Sequence, residues 1–143
     1  MMVYSGARKE TAFELKQLLN IDHLSDENIF DLNQKYIKQF EVINGQVDLS
    51  IANRLFVANN FNLLDDFESL LAKYFESEAQ NLNFSNPVES AEIINSFVEL
   101  KTKNKIKDLI DPELLDSLTK LVLINAVYFK GIYYLFQSIN FNL

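Results

Sequence analysis

The sequence predicts an α+β domain whose elements follow the order α-α-β-α-β-α-β. Two kinds of hydrophobic pattern support this fold class. Four segments repeat their apolar residues every three or four positions, as amphipathic helices do. By contrast, residues 47–57 alternate with period two, and residues 121–129 form an apolar run rich in β-branched and aromatic side chains, which favours a strand.

The helical segments carry residues that suit helix ends. Glu14 follows Thr11 by three positions, which fits a capping box at the start of the first helix. Ser25 is a preferred N-cap for the second helix, and Pro87 suits the first turn of the last one. The four helices are predicted over residues 11–19, 25–42, 63–75 and 88–103.

The three predicted strands cover residues 47–57, 77–84 and 121–129. The last of them, LVLINAVYF, shows no alternation, which predicts burial on both of its faces. Residues 132–143 have no clear period. The sequence therefore divides into one domain over residues 1–131 and a divergent tail over residues 132–143.

Composition excludes several function classes. The 143 residues carry a net charge of −7, so an acidic domain of this kind disfavours nucleic acid as a partner. Lys101, Lys103, Lys105 and Lys107 are interpreted as a solvated helix end, diluted by nearby acids. No apolar run approaches about 18 residues, which predicts no membrane association. The first nine residues lack the apolar core of a signal peptide.

No set of residues fits a catalytic, metal or cofactor site. The sequence has no cysteine, and His23, the single histidine, falls in a link between two helices. The pair Asp65-Asp66 suits the positive end of a helix dipole better than acid–base catalysis. We therefore expect no enzyme activity and no cofactor. Asn83-Phe84-Ser85 is an N-glycosylation sequon, so Asn83 is a possible glycan acceptor if the chain enters the secretory pathway.

Five motifs, in one order, carry a family resemblance. They are GARKET at 6–11, ANRLF at 52–56, LNF at 82–84 followed by IINSFV at 93–98, KTKNKIKDLI at 101–110, and LVLINAVYFKG at 121–131. Together they resemble the serpin family, in its segments entering helix C, strand 2A, strand 1A with helix F, the exit of helix F, and strand 3A. The resemblance implies a partial serpin fold, with helices C to F and strands 1A, 2A and 3A of the large sheet.

The resemblance also implies a function and its limits. Serpins inhibit serine proteases by inserting a cleaved reactive-centre loop as a new strand, so a serine protease is the implied partner and the extracellular space the implied location. Where the family has a tryptophan two residues beyond the FKG motif, this chain has Tyr133. The segments of resemblance include no reactive-centre loop, so the chain is expected to be non-inhibitory alone. Lys35 and Lys38 are too few, among many acids, to predict strong heparin binding.

Asn125 matches the asparagine of the serpin shutter region on strand 3A. Its family partners are expected to be missing, so the favoured interpretation is a polar residue bonded locally or exposed at a sheet edge. A strand at 121–129 without its neighbour is expected to self-associate through that edge. The alternative hypothesis is an interaction fragment that uses the edge to bind a protease exosite or another serpin.

Overall fold

The computed structural model describes residues 1–41 and 47–131. It confirms the predicted order of elements and adds a five-residue helix, α1, which was not predicted from the sequence. A short 3-10 turn also precedes the last strand. The elements are α1 (Met2–Gly6), α2 (Lys9–Leu18), α3 (Asp26–Glu41), β1 (Val47–Ala58), α4 (Asp65–Phe75), β2 (Ala79–Leu82), α5 (Pro87–Lys101), the 3-10 turn (Pro112–Leu114) and β3 (Leu121–Gly131). The predicted tail, residues 132–143, lies outside the described residues.

The three described strands form one sheet in the order β2-β1-β3. β1 is central and pairs antiparallel with β3, from Val47 opposite Gly131 to Val57 opposite Leu121. It pairs in parallel with the much shorter β2. A parallel pair needs a crossover connection, and α4 lies within the one between β1 and β2.

Helix α5 covers one face of this sheet. Its side chains Ile94 and Val98 are fully buried, and they pack against alternate residues of β1 and β3. On the strands, the buried residues of this face are Ala52, Phe56, Ala58, Leu82, Ile124 and Ala126. The period-two pattern of β1 therefore reports a real division between two faces.

The opposite face is only partly covered. Leu55 and Val57 pack there against Met2 of α1 and Leu71 of α4, and Leu123 is partly buried beside them. An apolar cavity of about 480 Å³ remains among α1, α4 and the start of β3. On this face, the helices therefore cover β3 near Leu123 and leave more of the strand exposed beyond that residue.

The prediction that β3 is buried on both faces is wrong. Ile124 and Ala126, under α5, are only 3% and 5% exposed, whereas Val127 and Phe129 on the other face are 52% and 60% exposed. The physical reason is the uneven cover described above. An apolar run without alternation reports the composition of both faces, but it does not show that both faces are covered by this chain.

The predicted start of the first long helix is also wrong. Helix α2 begins at Lys9 rather than Thr11, and its N-cap, Arg8, makes no side-chain capping bond. Thr11 thus lies inside the helix, so the capping box does not form. By contrast, the predicted N-cap of α3 is confirmed, since the Ser25 hydroxyl accepts the Asn28 N–H at 3.3 Å.

A small polar network joins the first three helices. The Tyr4 hydroxyl donates to the Asp26 carboxylate at 2.6 Å, and the Lys16 ammonium lies 2.6 Å from the same oxygen. These contacts lower the pKa of Asp26 below its ordinary value, and the contact with Lys16 has the largest effect. The network fixes the start of α3 against α1 and α2.

Candidate functional site

The outer edge of β3 is the main candidate site. Among the described residues, β3 pairs with β1 alone, and no described strand bonds to the N–H and C=O groups along its second edge. The strand is eleven residues long, contains no proline, and has Lys130 as its one charged residue. A long apolar edge of this kind is a template for pairing with another strand.

Asn125 lies near the middle of this strand, on the face away from α5. Its side-chain nitrogen donates to the Asn53 side-chain oxygen at 2.6 Å, across the pair that the register places directly opposite. Asn125 is solvent-exposed. Its geometry is that of a locally bonded polar residue at a sheet edge, and a shutter role stays a prediction.

The other face of the sheet is fixed by a contact between β1 and α5. The Arg54 guanidinium lies 4.2 Å from the centre of the Phe97 ring, and it donates to the Gln80 side chain at 3.0 Å. The Phe97 ring in turn meets Phe56 edge-on, at 6.0 Å between ring centres and 77° between planes. The Nε atom of Arg54 is buried without a partner among the described residues. Together these contacts anchor α5 to the sheet.

Arg54 was not among the candidate residues predicted from the sequence. The available signal was its position in the alternation of β1, which places it on the face of Ala52 and Phe56 rather than in solvent. A charged residue on the covered face of a strand needs partners. Phe97 and Gln80 supply two of them, and the Glu78 carboxylate lies 3.9 Å from the guanidinium as a third.

Asn95 fixes the connection from α5 to β3. Its amide donates to the Ile110 carbonyl and accepts the Ile110 N–H, both at 2.8 Å. The side chain therefore satisfies both backbone groups of one residue, as a neighbouring strand would. This arrangement holds the connector across α5 before the chain enters β3.

The remaining candidate residues lie on the surface and do not come together. His23 is exposed, with its ring 3.9 Å from the Asp22 carboxylate, while Asp65 and Asp66 lie exposed in the first turn of α4. In residues 1–41 and 47–131, no group of three or more potential ligands is placed to hold a metal ion. No helix within the same ranges is long and apolar enough to cross a membrane.

Asn83 lies exposed in the turn between β2 and α5. Its side-chain oxygen accepts the Ser85 N–H at 3.2 Å, and its carbonyl accepts the Ser90 hydroxyl at 3.0 Å. The turn is therefore ordered by the two serines while the Asn83 side chain remains at the surface. Glycosylation of Asn83 stays a prediction.

The four lysines at and after the end of α5 are all exposed. Lys101 is the last residue of the helix, and the Lys107 ammonium lies 2.9 Å from the Glu99 carboxylate. That contact raises the pKa of Lys107. The arrangement agrees with a solvated helix end, in which an acidic residue offsets part of the positive charge.

Comparison with known proteins identifies the class. The family model described as Serpin (serine protease inhibitor) matches residues 1–137, so the chain belongs to the serpin family. It is 36% identical to human neuroserpin over 130 residues, covering 91% of this chain and 32% of that protein. It is 42% identical to alaserpin of Manduca sexta over 110 residues, covering 77% of this chain and 27% of that protein.

Solved structures show the same relationship. The Manduca sexta serpin-12 structure matches with a TM-score of 0.82 at 31% identity, over 92% of this chain and 36% of that one. The structure titled cleaved Serpin 42Da matches with a TM-score of 0.79 at 38% identity, over 91% of this chain and 34% of that one. These matches confirm the predicted partial serpin fold. The chain spans about a third of the length of the relatives it matches.

Proposed function

We propose that this chain forms part of the body of a serine protease inhibitor, and that alone it does not inhibit a protease. The open edge of β3 carries the proposal. Serpin inhibition adds a strand to a sheet, and the described sheet ends in a long apolar strand with one free edge. The chain thus supplies an edge that can accept a strand.

The structure around β3 suits this role. Ile124 and Ala126 are held under α5, so a one-residue slip of β3 would expose them and bury Asn125. The Arg54–Phe97 contact and the Asn95 amide hold α5 and its connector in place. An incoming strand would therefore meet an edge of fixed register.

Inhibition needs more than this edge. The inserted strand of a serpin comes from its reactive-centre loop, and none of the segments that resemble the family includes that loop. The chain covers 32% of neuroserpin, so the stored strain that drives insertion would have to reside in a larger assembly. We also propose that the chain is not an enzyme.

A gel assay tests the proposal. The purified chain is incubated with trypsin and with chymotrypsin, and the mixtures are boiled in SDS and resolved by electrophoresis. We expect no shifted band and full residual protease activity, with an inhibitory serpin run beside it as the positive control. An SDS-stable complex between the chain and either protease would overturn the proposal.

A second candidate function uses the same edge for recognition. The chain would bind a protease exosite or another serpin by adding β3 to an exposed strand of the partner. Val127→Lys adds a charge on the exposed face of β3, while Leu118→Lys makes the same change at a residue that is 77% exposed and off the strand. We expect the first variant alone to weaken binding to immobilised neuroserpin or to active-site-blocked trypsin. Equal binding by both variants would exclude the outer edge of β3 as the binding surface.

We further propose an extracellular location, with a glycan on Asn83. The family resemblance and the exposed sequon support this. Secretion of the chain behind an added leader should give a product that endoglycosidase shifts on a gel, and Asn83→Gln should remove the shift. A secreted chain without that shift would argue against the glycan.

A further inference from the structure

We propose that β3 pairs antiparallel with β3 of a second copy, with Asn125 opposite the partner's Asn125. The sheet would then continue as β2-β1-β3-β3-β1-β2 about a two-fold axis. This inference rests on the proposal that β3 is an open, strand-accepting edge, and it adds the identity of the partner and the register.

The register follows from the side chains of β3. With Asn125 on the axis, Leu121 lies opposite the partner's Phe129, and Leu123 opposite the partner's Val127. Leu121, Val127 and Phe129 are 42%, 52% and 60% exposed on this face, so each gains an apolar neighbour. The two Asn125 amides meet on the axis, where each can both donate and accept a hydrogen bond.

The neighbouring registers are less favourable. Moving the axis to Ala126 places Asn125 opposite the partner's Val127, and moving it to Ile124 places Asn125 opposite the partner's Leu123. Either shift sets an amide against an apolar side chain without a partner across the pair. Among these three registers, the one centred on Asn125 matches polar with polar and apolar with apolar.

The same register puts like charges at both ends of the pair. Lys120 lies opposite the partner's Lys130, and this contact occurs twice by symmetry. The Lys120 carbonyl accepts the Ala58 N–H at 2.9 Å, so the backbone there still follows the sheet. Like charges directly opposite each other weaken a strand pair. Lys120→Glu would turn both repulsive contacts into attractive ones.

The area of contact sets the strength of the dimer. The pair joins two strand edges and a few side chains, of which Phe129 exposes on the order of 100 Å². Such an interface falls below the roughly 1,200 Å² of a stable complex, which indicates a reversible dimer. Its formation should therefore depend on protein concentration, and single substitutions should shift it measurably.

Sedimentation of the purified chain over a range of concentrations tests the pairing. We expect a reversible dimer whose Kd rises at least tenfold in Val127→Lys and stays unchanged in Leu118→Lys. Lys120→Glu should lower the Kd about fivefold at low salt, and high salt should remove that gain. Circular dichroism of each variant checks that the fold is retained. A chain that remains monomeric at all concentrations would overturn the inference.

Disulfide cross-linking tests the register, because the chain contains no cysteine. Under mild oxidation, Asn125→Cys should form a covalent dimer much faster than Ser85→Cys, an exposed residue in the turn before α5. Leu121→Cys should cross-link to Phe129→Cys in a mixture faster than either does alone. A dimer with equal rates at 85 and 125 would refute the register.

The two proposals can fail separately. A monomeric chain that leaves trypsin and chymotrypsin active would refute self-pairing and preserve the proposed function. An SDS-stable protease complex would refute the proposed function, whatever the oligomeric state.

Discussion

The contact between Arg54 and Phe97 should contribute measurably to stability, and a double-mutant cycle can isolate it. The perturbations are Phe97→Leu, Arg54→Met and the double variant. Leucine keeps most of the apolar volume under α5 but removes the ring. Methionine keeps the apolar stem of Arg54 but removes the guanidinium.

The contacts in the structure give an expected change in unfolding free energy for each single substitution of the cycle. Phe97→Leu loses the edge-on contact with Phe56, about 0.5–1.5 kcal/mol, and the cation–π contact with Arg54, about 0.5–1 kcal/mol. Arg54→Met loses that same contact and a hydrogen bond to Gln80, about 1 kcal/mol. It also loses the 3.9 Å ion pair with the exposed Glu78, which contributes little. It also removes the buried, unpartnered Nε, and this change offsets the lost stability by roughly 1–3 kcal/mol. We therefore expect Phe97→Leu to destabilise clearly and Arg54→Met to stay within about 1 kcal/mol of the parent.

Urea unfolding followed by circular dichroism provides the assay, at protein concentrations low enough to keep the chain monomeric. The cycle should give a coupling of about 0.5–1 kcal/mol between the two positions. A coupling near zero, with unchanged m-values, would show that the Arg54–Phe97 contact does not anchor α5.

Three further predictions follow from polar contacts elsewhere in the fold. Asn95→Ala should lower the unfolding free energy by about 1–3 kcal/mol, measured by urea unfolding, because it leaves both backbone groups of Ile110 unpaired. The unfolding free energy of Asn95→Asp should lie between those of the parent and Asn95→Ala. Ser25→Ala should cost about 0.5–1 kcal/mol in the same assay through loss of the α3 cap, and no change would show that the cap is not used. Because Lys16 holds the pKa of Asp26 below its ordinary value of 3.8, the stability from this carboxylate is present above that pH and lost as pH falls through the lower, folded pKa. Acid titration should therefore destabilise the parent more than Asp26→Asn, and parallel curves would contradict this.

Local sequence patterns predicted the elements well, because each pattern reports a property of its own segment. The spacing around Ser25 placed the start of α3, and the alternation after residue 47 placed β1 with its two faces. The start of α2 was misplaced because a side chain that can cap a helix, such as Thr11, can also lie inside one.

The candidate site depended on information that local patterns do not hold. The pairing of Asn125 with Asn53 needs the register between β1 and β3, which are separated by more than 60 residues. The exposure of Val127 and Phe129 depends on which helices cover each face of the sheet. The apolar character of these residues alone predicted burial. The family resemblance located Asn125, but only the assembled sheet shows what the residue contacts.

Amide hydrogen exchange along β3 tests most directly the claim that this strand has one paired and one free edge. The Val127→Lys variant is used, so that pairing between copies does not protect the edge. We predict that every second amide of β3 exchanges slowly, because it bonds to β1, while the amides between them exchange quickly. Slow exchange at consecutive amides from Leu121 to Gly131 would show that the second edge is covered, and it would contradict the account.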